Sequence, residues 1–349
     1  MGKMNFEEFV DTAAEKIKDF LPAEYKDAEI EITTVRKIGS EYTGMTVKKP
    51  ESHVAVAINL DQKFNEYANG NSLGKVLTEM ADEAKTPIPF VSLEGYIDYE
   101  SVKKDLFVRV CDSGFNEKIL ENVPHKDIDG ISITYHIRME ETNGALASTM
   151  INNQVLQALG INEETLHRDA LENGQRIFPA IIENLEDRVI ANPESLVEGR
   201  PKMLVVTNGK MINGAAAMFY DGVQEECSRK LGGDFFVIPS STNEMLAIKD
   251  TGKEDYQAME RLLMRMNVII TQESDVLSYK VYHYDSDAKI FEKAENYEDR
   301  KIGELFDRHL EQLLKKIDDD HKIDHETDRK TDHEFEKSEI RNHSFSLKM

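Results

Sequence analysis

The sequence predicts an α+β protein, with mixed sheets and packed helices arranged in two units and a polar C-terminal tail. Three observations lead there. Some stretches carry apolar residues at three- and four-residue spacing, as one face of a helix requires. Others alternate apolar and polar residues every second position, as a half-buried strand does. The 349 residues are 40% hydrophobic, enough for a core that uses both kinds of element.

Residues 4–21 lead with a helix, its face built from Phe6, Phe9, Val10, Ala13, Ala14, Ile17 and Leu21, and Pro22 stops it. Ala28–Ile38, Glu41–Lys48 and His53–Leu60 read as strands of a small meander against that helix. Leu73, Val76, Leu77, Met80 and Ala84 mark a helix over 72–85, and Pro87-Ile88-Pro89 breaks the chain after it. Asp105–Cys111 is a short apolar strand, and Asn116–Asn122 a helical turn. In Gly130–Met139, Ile131, Ile133, Tyr135 and Ile137 alternate with Ser132, Thr134, His136 and Arg138, the pattern of a strand with one wet face. The first unit is placed at 1–143 and the second at 144–300.

In the second unit Thr149–Leu159 reads as a helix closed by Gly160, and Asn162 caps the next. A further helix is expected over Ile177–Leu185, interrupted near Pro179. Lys202–Thr207, the Asn208-Gly209 turn and Ala215–Phe219 suggest a hairpin. Asp221–Leu231 is a helix ended by Gly232-Gly233, Phe235–Ile238 a strand, and Lys253–Met266 an amphipathic helix. Val276–His283 and Ala288–Phe291 form a last hairpin around Asp285-Ser286-Asp287. A terminal helix over 298–317 carries Ile302, Leu305, Phe306, Leu310, Leu313, Leu314 and Ile317. From 318 to 349 the apolar content is too thin to offset the entropy of ordering the chain, so a disordered acidic tail is expected.

Charge narrows the function. With 43 Lys and Arg against 66 Asp and Glu, the net charge is −23, which opposes binding to phosphate backbones, and the basic residues cluster only as pairs such as Lys103-Lys104. No run is long and apolar enough to span a bilayer, and Met1–Glu8 lacks the apolar stretch of a signal peptide. The expectation is a cytoplasmic protein with two reduced, buried cysteines, Cys111 and Cys227.

Catalytic chemistry has few footholds. Ser240, Ser241 and Glu244 follow the strand end at Pro239 and, with Asn208 and His283, are the candidates for a site assembled from scattered residues. The plainer reading makes Ser241 a helix cap with Glu244 at the third helical position. Cys111 beside His125 or His136 could serve as a nucleophile, but an apolar strand keeps a thiol inert, and the acidic neighbours of Cys227 raise its pKa. No zinc spacing, calcium loop, phosphate loop or dinucleotide fingerprint is present, so no cofactor is expected. His321 and His325, four residues apart in the tail, are the candidate metal ligands. The first reading is therefore a non-enzymatic protein-binding or regulatory protein, using the face around 240–252. The alternatives are an enzyme with a site near 238–244 and an acidic mimic of nucleic acid.

Three segments carry a resemblance: Met4-Asn5-Phe6-Glu7-Glu8-Phe9, Phe236-Val237-Ile238-Pro239-Ser240-Ser241 and Val276-Leu277-Ser278-Tyr279-Lys280-Val281-Tyr282. Over roughly residues 4–295 the chain resembles DUF5688, an uncharacterised family of clostridial bacteria. The resemblance implies a cytoplasmic bacterial protein and assigns no residue a role.

Overall fold

The computed structural model describes residues 3–50, 56–85, 98–139, 148–189, 202–269, 271 and 273–317. The fold is α+β, with three antiparallel sheets and helices packed on them. The chain forms two compact units, Met1–Glu292 and Lys293–Met349.

Helix α1 (Phe6–Lys16) starts at a capping box: Asn5 Oδ1 accepts from Glu8 N, and Glu8 Oε2 accepts from Asn5 N. It tightens into a 3₁₀ turn over Ile17–Phe20 ahead of Pro22, so the expected single helix to residue 21 is α-helical for only its first part. Strands β1 (Glu29–Lys37), β2 (Ser40–Lys48) and β3 (Ala57–Asn59) form the expected meander. Gly39, at φ +74°, closes the β1–β2 turn, and β1 is the edge of this sheet. The strand expected over His53–Leu60 is observed only at 57–59, with residues 51–55 outside the description. Asn59 caps helix α2 (Leu60–Ala68) by accepting from Gln62 N, and this helix was not expected. Ser72 caps α3 (Leu73–Ala84). Phe9, Ala13, Met45, Ile58, Leu60, Val76, Leu77 and Met80 are fully or almost fully buried in one core.

Helix α4 (Tyr99–Lys103) leads to β4 (Leu106–Asp112). After α5 (Glu117–Leu120) come β5 (His125–Ile128), β6 (Ile131–Arg138) and β7 (Ser148–Met150). Strand β6 pairs with β4 along one side, and with β5 and then β7 along the other. The β6–β7 pairing crosses residue 144. One core then gathers Leu106, Val108, Ile133 and Tyr135 with Leu204, Val206, Phe235 and Met245. The helix expected over Thr149–Leu159 is strand at its start, because Asn152 caps α6 (Asn153–Leu159) only after β7 has paired with β6.

Helix α7 (Glu163–Ile177) has the expected Asn162 cap. Where a further helix was expected, the chain past Pro179 is instead strand β8 (Ala180–Asn184), with the short α8 (Leu185–Val189) after it. Strand β8 pairs with β9 (Met203–Asn208). Ala215–Phe219 is a 3₁₀ helix rather than the return strand. Its alanines are buried, and Gly214 leaves no room for a side chain: a Cβ there would stand 2.3 Å from Thr207 Oγ1 and 2.5 Å from Asn243 O. Such close approach of a turn to a sheet requires small residues. Helix α9 (Val223–Leu231) ends at Gly232, φ +82°. Strands β10 (Phe235–Ser241) and β11 (Glu244–Lys249) form a hairpin, and α10 (Tyr256–Ile269) follows. Strands β12 (Tyr282–Asp285) and β13 (Ile290–Lys293) complete a six-stranded sheet in the order β13-β12-β10-β11-β9-β8.

In the second unit, helix α11 runs from 294 to 317, the last described residue. The tail from 318 to 349 lies outside the described residues. None of the described helices is long and apolar enough to cross a membrane.

Candidate functional site

The residues picked out at 238–244 sit at the tip of the β10–β11 hairpin, not at a helix start. Ser241 pairs with Glu244 across the turn, and Ser241 Oγ accepts from Asn243 N at 3.1 Å, so its hydroxyl caps a turn. Strand pairing overrides the local capping signature here because Met245 and Ala247 of β11 are drawn into the core. Ser240 Oγ donates to Glu244 O at 3.1 Å, and Glu244 Oε2 accepts from Arg188 Nη1 at 2.6 Å. Asn243 ties in the neighbouring loop: its Oδ1 accepts from Asn213 N at 2.9 Å, and its carbonyl accepts from Thr207 Oγ1 at 2.7 Å. Asn208, almost fully buried, donates to Ile212 O at 2.9 Å and accepts from Lys210 N at 3.0 Å. These polar groups hold turns together.

His283 is elsewhere. It lies opposite Phe236, five residues back along β10 from Ser241, roughly 16 Å at strand rise. Fully buried, it meets Asp250 Oδ2 at 3.0 Å through Nε2 and the edge of Phe236 at 4.9 Å between ring centres. The hydrogen bond from His283 holds the Asp250 carboxyl below its usual range against the opposing effect of burial.

The structure also separates the cysteine–histidine pairs. Cys111 lies opposite Ser132, whereas His136 lies opposite Phe107, four residues away along β4. His125 Nδ1 is 2.9 Å from Val123 O. Burial pushes the Cys111 and Cys227 thiols up to about 12, which keeps them protonated and inert at neutral pH. His321 and His325 fall outside the described residues, among which no cluster of three metal-ligating side chains occurs.

A cleft of about 630 Å³ lies at the β1–β2 turn, lined by Arg36, Gly39, Phe115, Asn116, Lys118 and Tyr279 among others. That size suits a small ligand. Its charged and polar groups, however, are largely engaged with the protein: Arg36 with Glu41 at 2.5 Å, and buried Asn116 with Gly39 N at 2.9 Å and Asp112 O at 2.8 Å.

Among the described residues, the largest apolar exposure is on α11. Ile302, Leu305, Phe306, Leu310, Leu313, Leu314 and Ile317 are each between 44% and 66% exposed. At 100° per residue they occupy about half of the helix circumference. Phe306, Leu310, Leu313 and Ile317 follow at intervals of four, three and four, the spacing of a coiled-coil seam. The opposite face holds Glu304, Arg308, Glu311 and Lys315. The face around 240–252, by contrast, exposes Thr251 and Gly252 and no large apolar side chain.

An α+β body with this apolar terminal helix is what the fold and surface define. The chain belongs to DUF5688, a family of unknown function, whose model matches residues 6–286. No curated protein and no solved structure matches the chain.

Proposed function

We propose that the protein is a non-enzymatic binding protein that joins other chains through α11, beginning with a second copy of itself. The observation behind this is the seven-residue apolar face of α11. An isolated amphipathic helix gains most of its stability by packing that face on something. The seven side chains present roughly 700 Å², close to the ~800 Å² that each partner contributes to a standard interface. The Phe306–Leu310–Leu313–Ile317 seam supplies register between like helices, and Ile302, Leu305 and Leu314 widen it to suit a bundle in which each helix touches more than one neighbour.

The test is the mass of the full chain in solution, by light scattering after size exclusion over a wide dilution series. Assembly predicts multiples of the 39.8 kDa chain that dissociate when Leu310→Asp and Leu313→Asp are combined. Both positions are exposed, so the change leaves the core of the first unit intact. A wild-type mass of one chain at every concentration overturns the proposal.

A further inference from the structure

We propose that the polar face of the β4–β6 ladder is a binding site for an oxyanion group, a carboxylate or a phosphoryl group, held by Arg109. The proposal is independent of α11 and rests on a buried charge that lacks its counterpart.

The strand alternation sets up the site. Ile131, Ile133, Tyr135 and Ile137 of β6 enter the main core, which turns Ser132, Thr134 and His136 to the other side of the sheet. That side was expected to be wet. Instead Ser132 and Thr134 are fully buried and His136 is 4% exposed. On β4, Phe107, Arg109 and Cys111 lie directly opposite His136, Thr134 and Ser132, on the same side. An arginine therefore stands in the middle of a largely enclosed face.

Its hydrogen bonding is incomplete. Arg109 Nη2 donates to Ser148 Oγ at 2.7 Å, and the guanidinium carbon lies 5.6 Å from the centre of the Phe107 ring. Nε is enclosed and has no hydrogen-bond partner. No carboxylate pairs with Arg109 among the described residues, although the chain has 66 of them. Other partly buried arginines have one: Arg138 meets Asp105 at 2.8 Å, and Arg188 meets Glu244 at 2.6 Å. Burial lowers the Arg109 pKa, but a guanidinium remains charged at neutral pH.

The neighbours do not neutralise it. His136 lies 3.0 Å through Nε2 from Thr134 Oγ1 and is held far below its usual pKa, by burial first and by the Arg109 charge second. It is neutral at pH 7 and contributes only a ring dipole. Thr134 and Ser148 contribute hydroxyls. Phe107 and Phe178, edge to face at 5.3 Å, supply an apolar wall. A cation, two hydroxyls and low polarity around them form an environment in which an anion is bound more strongly than in water. The unpartnered Nε–H, beside an Nη2–H already bonded to a hydroxyl, is a fork suited to two oxygens of one carboxylate or phosphoryl group.

The test measures the melting temperature of the full chain in sodium phosphate, sodium acetate and sodium chloride at one ionic strength. A ligand that binds only the folded state raises it with concentration. The expected result is a rise in phosphate, in acetate or in both, relative to chloride. A response to phosphate alone assigns a phosphoryl ligand, and a response to acetate alone a carboxylate. Arg109→Met removes the charge while retaining an apolar side chain, and should abolish the response. Ser148→Ala is the second variant in case the first does not fold, and should weaken the apparent affinity about tenfold, the effect of one charge-assisted hydrogen bond. Identical melting in all three salts overturns the proposal. So does a response that survives unchanged in whichever variant folds.

Discussion

Replacing Asp169 with asparagine removes a negative charge that joins α4 to α7. The side chain is 1% exposed in its residue, yet it accepts three hydrogen bonds: from Tyr99 O–H at 2.5 Å, Lys103 Nζ at 2.9 Å and Arg168 Nε at 2.9 Å. The three donors differ in worth. Lys103 and Arg168 have side chains 37% and 64% exposed, and water takes over from the lost carboxylate, so each contributes little. Tyr99 is buried, and its bond to a charged acceptor is worth about 1.5–3 kcal/mol. Asparagine keeps an acceptor for Tyr99 but turns its own amide hydrogens toward one of the cations. The expected loss is about 2–3 kcal/mol, or a fall in melting temperature of about 3–5 °C for a unit of this size. Urea unfolding at pH 7, followed by far-ultraviolet circular dichroism, reads it. The pH dependence has a definite sign. Burial raises the Asp169 pKa, but the hydrogen bonds from Tyr99, Lys103 and Arg168 outweigh it and hold the carboxyl below its usual range. Its stabilisation is therefore complete above the unfolded value near 4, and is lost as pH falls through the lower native value. The gap between wild type and Asp169→Asn should be constant at neutral pH and close in acid. A loss under about 0.5 kcal/mol at pH 7, or a gap unchanged in acid, would refute the reasoning.

Two further substitutions or probes report on packing. Gly214→Ala pushes a methyl group into Thr207 Oγ1, Asn243 O and Asn208 N, the last at 2.8 Å, and should cost about 3 kcal/mol or more in the same urea assay, because two of the three obstacles are backbone. Cys111 and Cys227 should react with a thiol reagent only after unfolding, giving two equivalents in concentrated urea and none in native buffer; rapid labelling of either in the native protein contradicts its burial.

Local rules in the sequence were enough where one element decides its own boundary. The Asn162 cap and the Gly232 stop lie where side-chain chemistry and glycine freedom place them. The core face of β6 was readable from its alternation. Tertiary contacts decided the rest. Ser241 and Glu244 carry a helix-start signature, yet β11 pairs with both β10 and β9, and that ladder fixes the turn. Ala215–Ala217 read as strand because nothing local shows how closely they approach Thr207 and Asn243. The site residues are harder still. Arg109 stands in the apolar run Leu106–Cys111, a visible anomaly, but whether an acid waits across the ladder depends on the partner strand. The apolar stripe of α11 was legible as periodicity, whereas its exposure belongs to the folded chain.

Strand β1 ends its sheet with nine residues and no second neighbour among those described. Its charges are sorted along its length, with Glu29 and Glu31 at the start and Arg36 and Lys37 at the end. Were copies to stack in parallel and in register, one arrangement that amyloid adopts, glutamate would sit on glutamate and lysine on lysine along the whole fibril axis. The gradient from acid to base thus disfavours parallel, in-register stacking along this β-branched border, whereas an antiparallel pair of β1 strands would set acid against base.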